Sequence, residues 1–158
     1  MGVSGNTVRD LAARWSSDVV ALNPGWLSSI MIGINDVWRQ FDSPLQTEQH
    51  IALNDYARIY EELIRTTRPG LKGLILMTPY LIETNRADPM RMLMDRYWAL
   101  VRKFAERYNA IFVDTQAAFD SVLTELHPMA LARDRIHPNL TGHQILARAF
   151  LNAAGYGW

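Results

Sequence analysis

Three short apolar runs alternate with long amphipathic segments along this chain of 158 residues. The runs are residues 26–35 (WLSSIMIGIN), 73–79 (GLILMTP) and 110–114 (AIFVD). Short apolar runs with β-branched residues are typical of strands that are buried on both faces of a parallel sheet. The alternation therefore predicts an α/β fold in which a parallel sheet lies between two layers of helices.

The segments between the runs carry apolar residues at helical spacing and end in turn signals. The predicted helices are 8–22, capped by Asn6 or Thr7; 47–67; one that begins at Asp88-Pro89; 116–126; and a last one capped by Thr141. We find no repeat or linker, so the pattern predicts a single domain over residues 1–158.

The first predicted helix begins at about residue 7, with no strand ahead of it. Three strands buried on both faces also need neighbouring strands. We therefore expect that one or two N-terminal strands are missing and that the chain is a truncated form of a longer protein. A sheet without an inner strand exposes an unpaired edge, which favours a homo-oligomer.

Composition excludes several classes of function. Sixteen basic and sixteen acidic side chains cancel, so no charge pattern indicates nucleic acid or an anionic membrane as a partner, and a small neutral molecule fits better. The absence of cysteine excludes disulfides, thiolate metal sites and a cysteine nucleophile. No apolar run is long enough to span a membrane and no signal peptide is evident, so the expectation is a cytoplasmic protein, although truncation would also remove a signal.

Polar clusters occupy three places where an open parallel sheet binds ligands, beyond the carboxyl ends of its strands. Gly5-Asn6 precedes the first helix, residues 33–36 follow the first strand, and residues 134–138 precede the last helix. In the last cluster Asp134 stands three residues before His137, so its carboxylate can bind one imidazole nitrogen and leave the other as a general base. The alternative is an exposed His137 and an Asp134 that pairs with Arg133 or Arg135.

The other two clusters offer hydrogen-bond donors. The carboxamide of Asn35 can donate toward the negative charge that develops on a tetrahedral intermediate, as in an oxyanion hole. The alternative explanation of Asn35 is an Asx turn that closes the strand, which Asn-Asp sequences form readily. Gly5 permits close approach of a ligand to the backbone, and a turn that needs a positive φ is its alternative explanation.

Taken together, the three clusters resemble the sequence blocks of the SGNH hydrolases, also called GDSL esterases and lipases. GVSGNT resembles the second block, IGINDVW the third and DRIHPNLTGH the last. The resemblance implies a three-layer α/β/α, flavodoxin-like fold and ester hydrolysis through a serine acyl-enzyme without metal or organic cofactor. It also implies that His137 is the base, Asp134 its orienting acid, and Gly5 and Asn35 the oxyanion-hole donors.

The first block of that family, a Gly-Asp-Ser that supplies the nucleophile, is absent from this chain. We expect no nucleophile among the serines present: Ser16 and Ser17 lie in a predicted helix, Ser28 and Ser29 in a predicted buried strand, and Ser43 and Ser121 away from the clusters. Ser4 lies nearest, but its Gly-Val-Ser-Gly turn differs from the Gly-x-Ser-x-Gly elbow of other hydrolases.

Two aromatic residues are candidates for a substrate pocket, Trp38 after the Asn35 cluster and Tyr80 after a strand, although simple packing explains both. The four histidines show no metal-binding spacing.

The expected function is ester hydrolysis of the carboxylesterase, lipase or carbohydrate acetylesterase type by a Ser-His-Asp mechanism in the full-length form. The alternative is a non-catalytic remnant that binds an ester or a sugar.

Overall fold

The computed structural model describes residues 2–157 as a parallel sheet of three strands covered by helices, with strand order β1-β2-β3. The strands are β1 (Trp26–Ile30), β2 (Gly73–Met77) and β3 (Ile111–Val113). The helices are α1 (Val8–Asp18), α2 (Ile34–Asp42), α3 (Leu53–Thr67), α4 (Pro89–Arg107), α5 (Thr115–Val122) and α6 (Leu140–Ala153). Short 3₁₀ helices occupy Val20–Leu22, Thr47–Gln49, Arg68–Gly70 and Pro128–Ala130.

The two faces of β2 pack against different helices. Leu74 and Leu76 belong to one apolar cluster, which α1, α2, α3 and α4 cover. Ile75 and Met77 lie in another cluster, against Val113 and residues of α6. Successive residues of a strand point to opposite faces, so this division confirms the predicted sheet between two helical layers.

The prediction that the first strand is buried on both faces is wrong. Trp26 is 55% exposed and Ser29 is exposed, whereas Ile30 is 3% exposed. The reason is position: within residues 2–157, β1 pairs with β2 alone and so lies at an edge of the sheet. The side chain of Ser28 lies outside the described part of the chain.

The first strand is also shorter than predicted, because the chain turns at Gly33 and enters α2. Gly33 has φ +129°, and a Cβ there would lie 3.1 Å from both Pro79 and the Tyr56 hydroxyl. Only glycine fits such a close approach with that backbone. As a result, Asn35 lies in the first turn of α2 rather than at the end of a strand, and α2 itself was not predicted.

Local capping signals fixed two helix starts. At the start of α1, the Thr7 side chain accepts a hydrogen bond from Asp10 N and completes a capping box. At the start of α4, the Asp88 side chain accepts from the backbone N–H groups of Met90 and Arg91, and Pro89 occupies the first helical position. Both predicted starts are confirmed.

Other boundaries differ from the prediction. The helix predicted over 47–67 begins at Leu53, because His50 and Ala52 are extended. The last helix is capped by Asn139, which accepts from Gly142 N, so Thr141 lies inside α6. The other termini move by a few residues: the first helix ends at Asp18, and α5 spans Thr115–Val122.

Candidate active site

Asp134 and His137 lie in one turn of the loop that precedes α6. Asp134 Oδ1 accepts hydrogen bonds from the backbone N–H groups of Ile136 at 3.2 Å and His137 at 2.9 Å. Its other oxygen, Oδ2, lies 2.7 Å from Nδ1 of the His137 ring. A carboxylate at this position keeps the proton on Nδ1, so Nε2 is left to act as a base. Of the two arrangements that the sequence left open, the structure has the Asp134–His137 pair.

Exposure and charge suit this pair to chemistry at the surface of the protein. The side chain of His137 is 63% exposed and that of Asp134 is 49% exposed. Partial burial opposes ionisation of Asp134, but the hydrogen bonds from the side chain and backbone of His137 and from Ile136 N lower its pKa overall. Asp134 is therefore a carboxylate at neutral pH and can stabilise a protonated imidazole.

The loop that carries the pair is anchored by Arg135, which sequence reasoning did not single out. Arg135 Nη1 contacts Glu83 at 2.8 Å and Asp88 at 3.0 Å, and its carbonyl oxygen accepts from Ile82 N at 2.9 Å. Its φ of +71° is strained for a residue with a Cβ. The acidic partners are 52 and 47 residues away in the chain, so local sequence carries no signal for this contact.

Tyr80 lies beneath the same loop. Its ring is 2% exposed and packs on Phe119, and its hydroxyl donates to the carbonyl oxygen of Ile136 at 3.4 Å. Burial raises the pKa of its hydroxyl well above the usual value. This corrects the prediction that Tyr80 walls a substrate pocket, since the ring belongs to the core and supports the backbone beside His137.

Asn35 is joined to the glycine cluster. Its Nδ2 donates to the carbonyl oxygen of Asn6 at 2.9 Å, which fixes the plane of the carboxamide. A carboxamide nitrogen carries two protons, so one N–H remains for a ligand. The contact spans 29 residues of sequence and replaces the Asx turn that was the alternative. Gly5, directly before Asn6, has φ +79°, the backbone that its alternative explanation requires.

Trp38 and Arg39 connect the glycine cluster to His137. The Trp38 ring stands edge-on to the His137 ring, with centroids 5.8 Å apart, and the Arg39 guanidinium lies 4.8 Å from the centre of the Trp38 ring. A Cβ on Gly5 would lie 3.7 Å from Arg39 Nη2. These contacts bring Gly5, Asn35 and His137, which are distant in sequence, to one region of the surface. Trp38 stays a candidate pocket residue, with Arg39 stacked over its ring.

Asp36 follows Asn35 in the first turn of α2. It is fully buried, its Oδ1 accepts from Val8 N at 2.9 Å, and its Oδ2 has no hydrogen-bond partner among the described residues. Burial raises the pKa of Asp36 to about 7. The burial of this carboxyl depends on tertiary packing, so local sequence carries no signal for it.

A groove of about 520 Å³ lies between α1 and the exposed side of β1. Its lining includes Val3, Asn6, Trp15, Ser29 and Met31. The groove borders the clustered residues at Asn6, while His137 and Trp38 lie outside its lining. Ser4 is exposed in the turn before Gly5, and Ser16 and Ser17 lie in α1 as predicted.

Within the described residues, no helix is both long and apolar enough to cross a membrane.

Comparison with known proteins gives consistent matches. The model of the GDSL-like Lipase/Acylhydrolase family matches residues 1–145. An acetylxylan esterase from Geobacillus stearothermophilus is 57% identical over 157 residues, which cover 99% of this chain and 71% of that enzyme.

Solved structures agree with these matches. The crystal structure of Axe2, an acetylxylan esterase from Geobacillus stearothermophilus, superposes on this chain with a TM-score of 0.97. The match covers 99% of this chain and 71% of the Axe2 chain. LAE5, an α/β hydrolase enzyme from the metagenome of Lake Arreo, Spain, is 56% identical with a TM-score of 0.94 and covers 96% of this chain and 69% of its own.

Axe2 has also been solved as catalytic mutants in which a serine, an aspartate or a histidine is replaced by alanine. In Axe2 that aspartate precedes the histidine by three positions, which is the spacing of Asp134 and His137 here. The family match over residues 1–145 and the identity of 57% place this chain in the GDSL-like lipase/acylhydrolase family, the SGNH hydrolases.

Proposed function

We propose that this chain carries the base, its orienting carboxylate and the oxyanion-hole donors of an esterase that removes acetyl groups from carbohydrates. The observation that supports the proposal most strongly is the 2.7 Å contact between Asp134 Oδ2 and His137 Nδ1. The contact occurs in a chain 57% identical to an acetylxylan esterase. Two catalytic mutants of Axe2 replace an aspartate and a histidine that stand three positions apart, as Asp134 and His137 do.

In this proposal Nε2 of His137 takes the proton from a hydroxyl that attacks the acetyl carbonyl carbon. The carbonyl oxygen becomes an oxyanion and receives hydrogen bonds from the free N–H of Asn35 and from the backbone of Gly5. Collapse of the tetrahedral intermediate breaks the bond to the sugar oxygen, which leaves with the proton from His137. When the attacking hydroxyl is that of a serine, water then releases acetate from the acyl-enzyme in the same way.

Asp134 acts through His137 in both steps. While the imidazole is neutral, the carboxylate keeps the reactive nitrogen at Nε2. When the imidazole becomes positively charged, the anion at 2.7 Å stabilises it.

Two experiments test the proposal on the 158-residue chain. The first measures acetate released from acetylated xylo-oligosaccharides, and we expect release above the rate in buffer. The second is treatment with a fluorophosphonate, which labels a nucleophilic serine. Because the sequence predicts that no serine of this chain is a nucleophile, we expect no label, and the hydrolysis measured is then attack on the acetyl carbonyl by a water molecule that gives its proton to His137.

The alternative function is binding of an acetylated sugar without turnover. Acetate release at the buffer rate, together with saturable binding of the oligosaccharide in calorimetry, would support it over the proposal. Labelling of any serine would overturn the prediction that the nucleophile is absent.

We also propose that the chain self-associates through the open edge of β1. Trp26 is 55% exposed there, Met31 is 39% exposed, and Leu22 at the end of the groove is 71% exposed. An unpaired edge with apolar residues around it favours pairing with a second copy. Light scattering should give a dimer mass for the wild type and a monomer mass for Ser29→Pro, with Ser43→Pro as control. A monomeric wild type at high protein concentration would contradict this.

A further inference from the structure

Asn35 and Asp36 are neighbours in the first turn of α2, and their side chains contact the same segment at two points. Asn35 Nδ2 donates to the carbonyl oxygen of Asn6, and Asp36 Oδ1 accepts from the backbone N–H of Val8, both at 2.9 Å. The segment between these contacts follows directly on Gly5. Two adjacent residues of one helix thus hold both sides of the turn that leads into α1.

Burying the carboxyl of Asp36 to make this contact lowers the stability of the fold. The residue is fully buried, and Oδ2 lacks a hydrogen-bond partner among residues 2–157. An unsatisfied buried polar atom destabilises the folded state, and a buried charge does so more strongly. The capping box at the start of α1 pairs the N–H groups of Thr7 and Asp10, so it leaves the buried N–H of Val8 to Asp36. The contact of Asp36 with Val8 N therefore ties α2 to the start of α1, which the local cap does not do.

We propose that Asp36 is a positioning residue for the oxyanion hole. By holding Val8 N it fixes the turn at 5–8 against the N-terminus of α2, and so keeps the backbone of Gly5 in register with the carboxamide of Asn35. The inference rests on the proposed function, since it gives a role to residues that are assigned there as oxyanion donors. Asp36 contacts neither substrate nor reacting atoms and acts through the position of the turn.

Two variants remove the contact from opposite sides. Asp36→Ala removes the acceptor. Val8→Pro removes the donor and keeps the carboxyl; position 8 is the first residue of α1, where proline is favoured, and Thr7 already has the extended backbone that a following proline requires. Asp36→Asn is the conservative variant, because its Oδ1 still accepts from Val8 N.

Thr67→Val is the matched structural control. Thr67 is buried, and its hydroxyl accepts from Trp15 Nε1 at 2.8 Å between α1 and α3, away from the turn. Thr67→Val should lower the melting temperature about as much as Asp36→Ala does, but it should leave the turn at residues 5–8 in place.

For acetate release we expect kcat to fall about tenfold or more in Asp36→Ala and in Val8→Pro with KM unchanged, because an oxyanion hole acts on the transition state. The double variant should be no slower than either single variant, since both remove one contact. Asp36→Asn should stay within about twofold of the wild type, and Thr67→Val should keep the wild-type kcat. Equal loss of kcat in Thr67→Val, or unchanged kcat in both single variants, would overturn the proposal.

A second measurement separates this inference from the proposed function. Amide exchange followed by NMR reports the side-chain N–H of Asn35 without any turnover. We expect faster exchange of that group in Asp36→Ala and Val8→Pro, and wild-type exchange in Thr67→Val. Unchanged exchange in both would overturn the positioning role even in a chain that hydrolyses esters, whereas faster exchange in a chain without activity would support positioning and count against the function. Val8→Pro supplies the result if Asp36→Ala does not fold.

Discussion

Asn35 Nδ2 lies 2.9 Å from the carbonyl oxygen of Asn6, so the side chain that we assign to the oxyanion hole is held by the residue that follows the glycine of the same site. The contact uses one of the two N–H groups of the carboxamide and directs the other away from Asn6. The orientation of the donor is therefore a property of the folded chain, present before any substrate binds.

Removal of this donor should slow catalysis more than binding. We expect Asn35→Ala to reduce kcat for acetate release by about 10²–10³-fold, the effect of losing one oxyanion-hole donor, with a smaller change in KM. Asn35→Asp should be slower still, because a carboxylate has no N–H and repels the oxyanion. Steady-state kinetics with Asn54→Ala, an exposed position of α3, as control will measure this. A wild-type kcat in Asn35→Ala would remove Asn35 from the mechanism.

Asp134→Asn should separate activity from stability. Its carboxamide oxygen can still accept from Ile136 N and His137 N, but it cannot neutralise a protonated imidazole. We expect kcat to fall at least about tenfold at neutral pH while the melting temperature changes little. Asp55→Asn, a half-exposed acidic residue in a surface ion pair, is the control.

The lowered pKa of Asp134 determines how its contribution to the free energy of unfolding depends on pH. Because the folded-state pKa is lower than the unfolded one, ionised Asp134 stabilises the fold above the unfolded pKa, and this contribution is lost as the pH falls through the folded pKa. Any difference in unfolding free energy between wild type and Asp134→Asn should therefore disappear in acid. A difference that persists there would show that the carboxylate is not its origin.

The contribution of Asp36 to the free energy of unfolding should depend on pH in the opposite direction. Burial raises its folded-state pKa to about 7, so between the unfolded value near 4 and about 7 the folded chain binds more protons than the unfolded chain. Stability from this residue is complete at low pH and declines as the pH rises toward 7, by a few kcal/mol at most, because one pKa unit is worth about 1.4 kcal/mol. Urea unfolding at several pH values should show this decline in the wild type and lose it in Asp36→Asn. Parallel curves would contradict the raised pKa.

Arg135→Gly should loosen the loop that carries His137. Glycine relieves a φ of +71°, worth about 1–2 kcal/mol, but the ion pairs with Glu83 and Asp88 are lost and the unfolded chain gains entropy. We expect the unfolding free energy to stay within about 1 kcal/mol, since partly exposed ion pairs contribute little. Amide exchange at Ile82, which donates to Arg135 O, should become faster and kcat should fall, whereas Arg133→Gly in the same loop should change neither.

The sequence predicted what local signals determine. The order of strands and helices follows from hydrophobic periodicity, and the caps at Thr7 and Asp88 follow from side chains that bond to backbone two or three residues away. The pairing of Asp134 with His137 is equally local. Helix α2 also had such a signal, since Ile34, Val37, Trp38 and Phe41 follow helical spacing, but the apolar run before it was extended past Gly33.

Other features depend on residues that are far apart in the chain. The exposure of β1 follows from its place at the edge of the sheet, and the anchoring of Arg135 follows from its ion pairs with Glu83 and Asp88, which precede α4. The buried Asp36 is a stronger case, because its acceptor role is set by Val8, 28 residues earlier. Periodicity and spacing carry no information on such contacts.

The most direct test of the account compares His137→Ala with His143→Ala, an exposed histidine of α6, in release of acetate from acetylated xylo-oligosaccharides. The account predicts that His137→Ala lowers the rate by about 10²–10⁴-fold, the contribution of a general base, and that His143→Ala keeps the wild-type rate. A His137→Ala variant as fast as the wild type, or a wild-type chain that releases no acetate above buffer, would contradict it.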